Sequence, residues 1–473
     1  MRAALYGRFS RQVYFLKQQF LQEGRLPFTE VLPAECFTQV LEKIELCWND
    51  CIYMPLVTLW VFLGQVLSAD HSCRAAVARL IAHRVSQGLR ACSSETGAYC
   101  QARKRLPEQF FSAVACLVGR KLDAQVDAQW LWQGRRVYLF DGSTVSMPDT
   151  PENRKAYPLT YNQRPGTAFP IARIGAIISL ACGAILNLGI CRYAGKGQGE
   201  VSLLRQLWDV LRSGDVLLTD CLMSNWTTIA MLKQRGVETV SRLNKAVRSA
   251  DFRQGIRLGK DHHLVRWFKP TSIRSVDRET YRSLPAFITI RETRIRVEQP
   301  GFRTKSIVVV TTLLDPEQTT KEDLATLYRA RWNNELDLRS IKITLQMDML
   351  RCKTPELVRK EIWTHVLAYN LIRTLMAQAA SQSGIPPRSI SFKATLQVLE
   401  AFQPLIAYQA HRGFRHREAL YRQVLQAIAV HRVADRPDRF EPRMTKRKPK
   451  NYDRLTRPRK EIKRQIFKRF RKT

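Results

Sequence analysis

The sequence predicts an α/β protein in which a mixed sheet sits between a helical N-terminal region and a helical C-terminal region. Three observations carry this. Apolar residues recur at three-to-four spacing through residues 1–130; short apolar runs then alternate with helical-period segments from residue 136; the helical period returns at Lys321 and holds to about residue 429. In the first region, helices are expected at 31–46, 55–68, 73–87 and 108–125, with Asp70 and Ser72 as capping residues between the second and third.

The middle of the chain reads differently. Arg136 to Phe140 is a short apolar run that stops at Asp141-Gly142-Ser143-Thr144, which predicts a strand ending there. Runs at 174–180 and 184–190, separated by Ala181-Cys182-Gly183, predict a hairpin. A helix is expected at 200–211, a strand at 215–220 closing on Asp220, a helix at 224–235 and a strand at 237–243. Residues 245–318 alternate with a period of two and are broken by Pro270, Pro285 and Pro300, so a β-rich insertion is expected. One long helix is expected from Lys321, and helices continue past an interruption at Gly384-Ile-Pro-Pro387.

Composition bounds the function. The chain has 473 residues with 45% hydrophobic content, enough apolar surface to exclude a wholly disordered chain. Its 77 Lys and Arg against 41 Asp and Glu leave a formal charge of +36, which selects polyanionic partners, most simply nucleic acid. Residues 441–473 alone hold 15 Lys and Arg against 3 Asp and Glu, so the tail is expected to be weakly structured without a partner. The 11 cysteines are odd in number and scattered, which argues against a disulfide scaffold and for a reducing compartment. No Cys pair at zinc spacing is present; Cys47 and Cys51 lack following histidines, and His262-His263 and His411/His416 match no ligand spacing. No signal peptide is readable, and the longest apolar stretch, 54–69, is shorter than the ~20 residues of a membrane span. A cytoplasmic, nucleoid-associated protein is expected.

The chemistry rests on carboxylates. Asp141 and Asp220 each close a predicted buried strand, where two side chains can share a divalent cation, although a lone Asp at a strand end more often starts a turn. On the helix beyond Lys321, Tyr328, Arg331, Glu335 and Lys342 fall within an arc of about 60° at ~100° per residue. That stripe offers a carboxylate to the cluster and two cations to phosphate oxygens, with Arg339 close to the same face. A solvated face of Glu–Lys and Glu–Arg pairs is the plainer alternative. The loop Gly195-Lys-Gly-Gln-Gly199 lacks the spacing of a nucleotide fingerprint and reads as a connection.

Tyr328-x2-Arg331-x3-Glu335-x6-Lys342 resembles, position for position, the Y-R-E-K signature of the bacterial insertion-sequence transposases of family four. Phe140-Asp141-Gly142-Ser143 resembles that family's first acidic motif and Leu218-Thr219-Asp220 its second, with Cys221 where Arg often follows. The resemblance covers residues 40–400. It implies a ribonuclease H-like core at 131–244, a β-rich insertion at 245–318, a second core part with the Glu helix at 319–400, and a helical, then basic, region at 401–473. It implies that Asp141, Asp220 and Glu335 bind two Mg²⁺, with Mn²⁺ as a substitute, and that one site first hydrolyses the element end and then joins the 3′-OH to target DNA. Relatives can pass through a hairpin intermediate. Tyr328, Arg331 and Lys342 would contact DNA phosphates, Arg242 would add a further contact, and Trp267 would stack on a displaced base; a surface ion pair for Arg242 and a core position for Trp267 are the plainer readings. The implied partners are double-stranded DNA, as element ends and target, and a second copy in a homodimer, with no membrane. Residues 1–130 would recognise the element end. A non-catalytic DNA-binding descendant and a related nuclease are the alternatives.

Overall fold

The computed structural model describes residues 40–44, 48, 51–86, 88–160, 166, 168–273, 276–296, 306–409, 414–433 and 457–470. Four helices come first: α1 (Pro55–Val66), α2 (Cys73–Ser86), α3 (Gly97–Arg105) and α4 (Glu108–Ala124). All were expected except α3, whose polar GAYCQARKR stretch buries only Tyr99, Ala102 and Arg103 and so carries a weak apolar period. The helix expected at 31–46 falls mostly outside the described residues.

One nine-stranded sheet follows, with β1 (Val137–Ser146), β2 (Ile171–Ser179), β3 (Ile185–Arg192), β4 (Val216–Leu218), β5 (Glu238–Arg242), β6 (Ile256–Gly259), β7 (His262–Phe268), β8 (Phe287–Arg296) and β9 (Ser306–Thr311). Its order is β3-β2-β1-β4-β5-β9-β8-β7-β6. The first three strands form an antiparallel meander, β4 and β5 run parallel to β1, and the remaining strands are antiparallel. Strand β9 pairs with both β5 and β8, so the β-rich segment extends the central sheet and does not form a body of its own. Strand β1 also differs from expectation. It runs through Asp141 to Ser146, because β2 continues to supply partners from Ala176 to Ile171.

Alternation along β1 and β4 separates two cores. Val137, Leu139, Val216 and Leu218 face one cluster, whereas Tyr138, Phe140 and Leu217 face the other. The second cluster is closed by α6 (Glu200–Leu207), which follows the six-residue α5 (Pro151–Ala156) in chain order. Helix α6 can approach because Gly142, Gly175 and Gly189 lie in register across three strands; a Cβ on Gly142 would meet the Glu200 side chain at 2.5 Å and one on Gly189 would meet Leu203 at 2.8 Å. The far side of the sheet's extension holds a third cluster around Trp226, Trp267 and Ile290, with α7 (Trp226–Gln234) and the short α8 (Arg278–Ser283) at its edge.

The C-terminal helices are α9 (Lys321–Ala330), α10 (Trp332–Arg339), α11 (Pro355–Gln382), α12 (Phe392–Gln409), α13 (Phe414–Val430) and α14 (Arg459–Phe470). The single helix expected from Lys321 is therefore two, followed by a π turn at Ser340–Thr344. The basic tail contains the regular helix α14, which the composition did not foretell; residues 441–456 lie outside the described residues. Helix α11 is the scaffold. It is buried along most of its 28 residues, against α1, α4, α12 and α13. Asn370, fully buried, donates to the carbonyls of Ala115 (3.0 Å) and Ile185 (2.9 Å) and accepts from Ile185 N–H (2.9 Å), which fastens α4 and the start of β3 to this helix. Among the described residues, no helix is long and apolar enough to cross a membrane.

Two buried histidines tie folding to pH. His262 accepts a hydrogen bond on Nε2 from the fully buried Arg291 (2.7 Å), which requires a neutral ring; burial first, then Arg291 and Lys321, push its pKa down to about 4. Burial, then His71, pushes His365 down to about 3. Between the unfolded value of 6.5 and these folded values the unfolded chain binds protons that the folded chain refuses, so stability falls as pH falls. Thermal denaturation across pH 7 to 4.5 is expected to show that loss, and His262→Gln, which keeps an acceptor for Arg291, should flatten it; an unchanged slope would contradict the assignment.

Candidate active site

The site starts from strand register. Parallel pairing sets Val137 opposite Val216, Tyr138 opposite Leu217 and Leu139 opposite Leu218, and ends there. Asp141 lies on the β1 face of Leu139, where β1 continues with β2 alone, and Asp220, two residues past the end of β4, is near enough for its charge to act on Asp141. Carboxyl ends of parallel strands are where crevices open in such sheets.

Asp141 Oδ1 accepts from Gly142 N–H (2.8 Å), and Asp220 Oδ1 accepts from Leu222 N–H (2.8 Å). Each therefore also makes the local turn-type bond expected of a lone Asp, with a second oxygen left over. Burial raises the Asp141 carboxyl to about 6; the like charges of Asp220 and Glu200 push the same way, against the Gly142 N–H and Arg331.

Helices α9 and α10 bring the third element. A capping box on Thr320 and Asp323 starts α9, the turn tightens at Arg331, whose N–H bonds Tyr328 O and whose carbonyl accepts from Asn334 N–H, and α10 packs on β1. The π turn then places Lys342 over β1, where its Nζ donates to Ser143 Oγ (2.9 Å). Beyond it, Asp348 O accepts from Ser146 N–H (2.9 Å) and Leu350 N–H donates to Ser146 O (2.9 Å), so the run after the π turn is stitched to the end of β1. Burial lowers the Lys342 ammonium, with Asp348 opposing.

Arg331 is half-buried and donates from Nη2 to Glu335 Oε1 (2.9 Å). Burial works against its charge, but Tyr328, Glu335 and Asp141 outweigh it, and its pKa is raised. Tyr328 packs against the core; burial raises its phenol, which also feels Arg331, Arg242 and Asp220. Arg242, exposed on β5, points Nη2 at Cys221 Sγ (3.7 Å), beside Asp220. The structure thus gathers Asp141, Asp220, Tyr328, Arg331 and Arg242 at one corner, with Lys342 two residues along β1.

Among the described residues, no three His, Cys, Asp or Glu side chains stand together as a ligand set, and the Glu335 carboxylate pairs with Arg331. One expectation is corrected. Trp267 is no base-stacking platform: it is 2% exposed, its Nε1 donates to Glu292 Oε1 (2.8 Å), and Arg248 covers its ring at 4.5 Å. A strand residue alternating inward against α7 is core, which the exposed reading overlooked.

Sequence reasoning also missed four partners. Ser143 was quoted only as part of the first motif, yet it holds Lys342. Asp337 of α10, with no exposed side-chain surface, forms an ion cluster with the buried Arg373 and the partly exposed Arg388. Only the acidic residue two positions after Glu335, in an otherwise leucine-flanked inward position, signalled it.

Residues 132–371 match the transposase DDE domain family. Over 329 residues, covering 68% of this chain and 70% of the relative, the sequence is 28% identical to the transposase InsG for insertion sequence element IS4 of Escherichia coli strain K12. It is 35% identical over 82 residues, 17% of this chain and 21% of the relative, to the putative transposase InsL for IS186A of the same organism. Among solved structures, the piggyBac transposase synaptic complex with hairpin DNA aligns at a TM-score of 0.42 with 9% identity, covering 85% of this chain and 84% of that one, a likeness too low to carry an argument.

Replacing Trp267 tests its reassignment. Trp267→Ala should destabilise the protein by ~3–5 kcal/mol, whereas Trp267→Phe should leave affinity for DNA unchanged in a binding titration; loss of affinity with intact stability would restore the stacking role.

Proposed function

The chain belongs to the transposase DDE domain family and is a DNA transposase, and from that premise we propose which of its residues do the cutting and joining. Divalent-metal use is general to the family. We assign Asp141, Asp220 and Glu335 as the metal ligands and Mg²⁺ as the ion, with Mn²⁺ as its substitute. The observation that carries this is the approach of Asp220 to Asp141 just beyond the paired β1–β4 ladder, where burial first, and the Asp220 charge with it, hold Asp141 up to about 6. Hard carboxylate oxygens crowded in this way fit a dication. Mg²⁺, when bound, polarises the attacking oxygen and stabilises the leaving one.

The protein's own groups supply the rest. Arg331 neutralises Glu335 and, at longer range, Asp141 before DNA arrives. A phosphate offers its guanidinium a second anionic partner, able to accept two N–H bonds, which leaves the Glu335 carboxylate for the ion. Lys342, held by Ser143, and Arg242, beside Cys221, bracket the two aspartates and serve as phosphate contacts, with the Tyr328 hydroxyl between them. In the first step water attacks phosphorus and the element's 3′ oxygen leaves; in the second that 3′-OH attacks a target phosphodiester and the target's 3′ oxygen leaves.

The meander β1–β3 with β4 and β5 parallel to β1 supports a ribonuclease H-like core, interrupted by the strands of 245–318. We further assign element-end recognition to residues 1–130, dimer assembly and non-specific DNA contact to 401–473, a homodimer as the DNA-bound form, and the nucleoid as its place of work.

Glu335→Gln should abolish Mg²⁺-dependent cleavage of element-end DNA by more than about 100-fold, beyond the range lost on disturbing an outer-shell partner, while DNA binding by gel shift stays near wild type. Equal loss of both would contradict the assignment. Binding without cleavage by the wild type, in Mg²⁺ or Mn²⁺, would favour a non-catalytic binder.

A further inference from the structure

Helix α10 is poorly held by apolar packing. It has eight residues, a one-residue turn at Arg331 before it and a π turn after it, and it buries only Asn334, Asp337 and Leu338; Trp332 and Leu336 on its outer side are 49% and 41% exposed. Yet this is the helix that must present Glu335 to the sheet. What fixes it is polar. Asp337 lies two residues, about 200°, around the helix from Glu335, and its side chain has no exposed surface.

Both Asp337 oxygens accept from Arg388 Nη1, each at 2.7 Å, and Oδ1 also takes Arg373 Nη2. Arg388 then donates from Nη2 to Ser179 O (2.7 Å) and from Nε to Leu180 O (2.8 Å), at the end of β2. Strand β2 pairs with β1 so that Ala176 faces Asp141. Arg373, on the scaffold helix α11, donates from Nε to the Tyr369 hydroxyl (2.8 Å) and fills the space beside Gly183 in the β2–β3 turn, where a Cβ would stand 2.8 Å from its Nε. One carboxylate therefore connects α10 to the scaffold and to the neighbour of the strand that carries Asp141.

We propose that Asp337 is the positioning residue for Glu335: through Arg388 and Arg373 it sets the rotation and height of α10 above β1, and metal-dependent cleavage depends on that setting. This rests on the assignment of Glu335 as a metal ligand. Apolar side chains of similar volume would hold the helix down about as firmly. They would not fix its rotation, because only the planar guanidinium fork has a directional match to a carboxylate.

The test uses full-length protein and an element-end duplex, with Asp337→Asn, Arg388→Lys and Glu335→Gln. Three quantities are read: DNA affinity, cleavage rate against Mg²⁺ and Mn²⁺ concentration, and the sites of polypeptide scission by Fe²⁺ and ascorbate, which reports side chains near a bound ion without requiring turnover. The expected result for Asp337→Asn and Arg388→Lys is unchanged DNA affinity, cleavage reduced about 10- to 100-fold, a higher metal concentration for half-maximal rate, and scission lost at residue 335 but kept at 141 and 220. A cleavage loss that only tracks the folded fraction, with unchanged metal dependence and scission pattern, would overturn the proposal. So would wild-type cleavage. Should Asp337→Asn fail to fold, Arg388→Lys, at the partly exposed rim of the cluster, decides alone. If Glu335→Gln cleaves normally, the ligand assignment itself fails; if it is inactive while the Asp337 and Arg388 variants are normal, only the positioning role fails.

Discussion

The parallel pairing of β1 with β4 is the constraint from which the site follows. Two strands matched from Val137–Val216 to Leu139–Leu218 bring Asp141, in β1, and Asp220, two residues past the end of β4, close enough for their charges to interact. A slip of one residue would turn one carboxylate to the opposite side of the sheet. The slip is blocked by packing on both faces: Leu139 and Leu218 fill one core, Tyr138 and Leu217 the other, and neither set tolerates exchange with the aspartates. The glycine row through Gly142, Gly175 and Gly189 adds to this by letting α6 lie close behind β1, so the strand is clamped from the side that the carboxylates do not use.

Charge is divided between two tasks. The net +36 makes the surface a polyanion binder, but several arginines are not surface at all. Arg103, Arg291 and Arg373 are 4%, 0% and 5% exposed, and each serves as an internal clamp on carbonyls, thiols, rings or a carboxylate. Arg suits this because its charge cannot be lost on burial and its donors radiate in a plane. At the site, Arg331 and Lys342 are engaged internally, on Glu335 and Ser143. Their internal partners are one carboxylate and one hydroxyl, which a DNA phosphate outcompetes more readily than it would the buried Asp337 cluster.

Much of this was legible in the sequence, and the gaps have physical reasons. The strand at 216–218 was legible because all three residues are apolar and buried, and the helices at 55–66 and 108–124 because most of their buried positions are apolar. The four-residue stripe on the helix after Lys321 was readable from spacing alone; of its members, Arg331 and Tyr328 act on Asp141 and Asp220, Lys342 reaches Ser143, and Glu335 pairs with Arg331. The helix itself is not continuous, since the break at Arg331 and the π turn at Ser340–Thr344 depend on docking against β1 and leave no mark in a local period. Asp141 was misplaced at a strand end because a polar run, Asp-Gly-Ser-Thr, reads as a turn until an antiparallel partner supplies its hydrogen bonds. The Asp337 cluster left no local mark, because whether a charged residue faces in or out depends on elements far away in sequence, here Arg373 and Arg388; the same dependence on α7 left Trp267 with both a core and a stacking reading.

The most direct test of the central claim is the position of a divalent ion in the protein bound to element-end DNA, with Ca²⁺ in place of Mg²⁺ to hold the uncleaved state. The account predicts an ion bridging Asp141 and Asp220, with Glu335 turned from Arg331 to within ligand distance and the Arg331 guanidinium on a DNA phosphate. An ion bound elsewhere, or Glu335 still paired with Arg331 beside an occupied site, would contradict it.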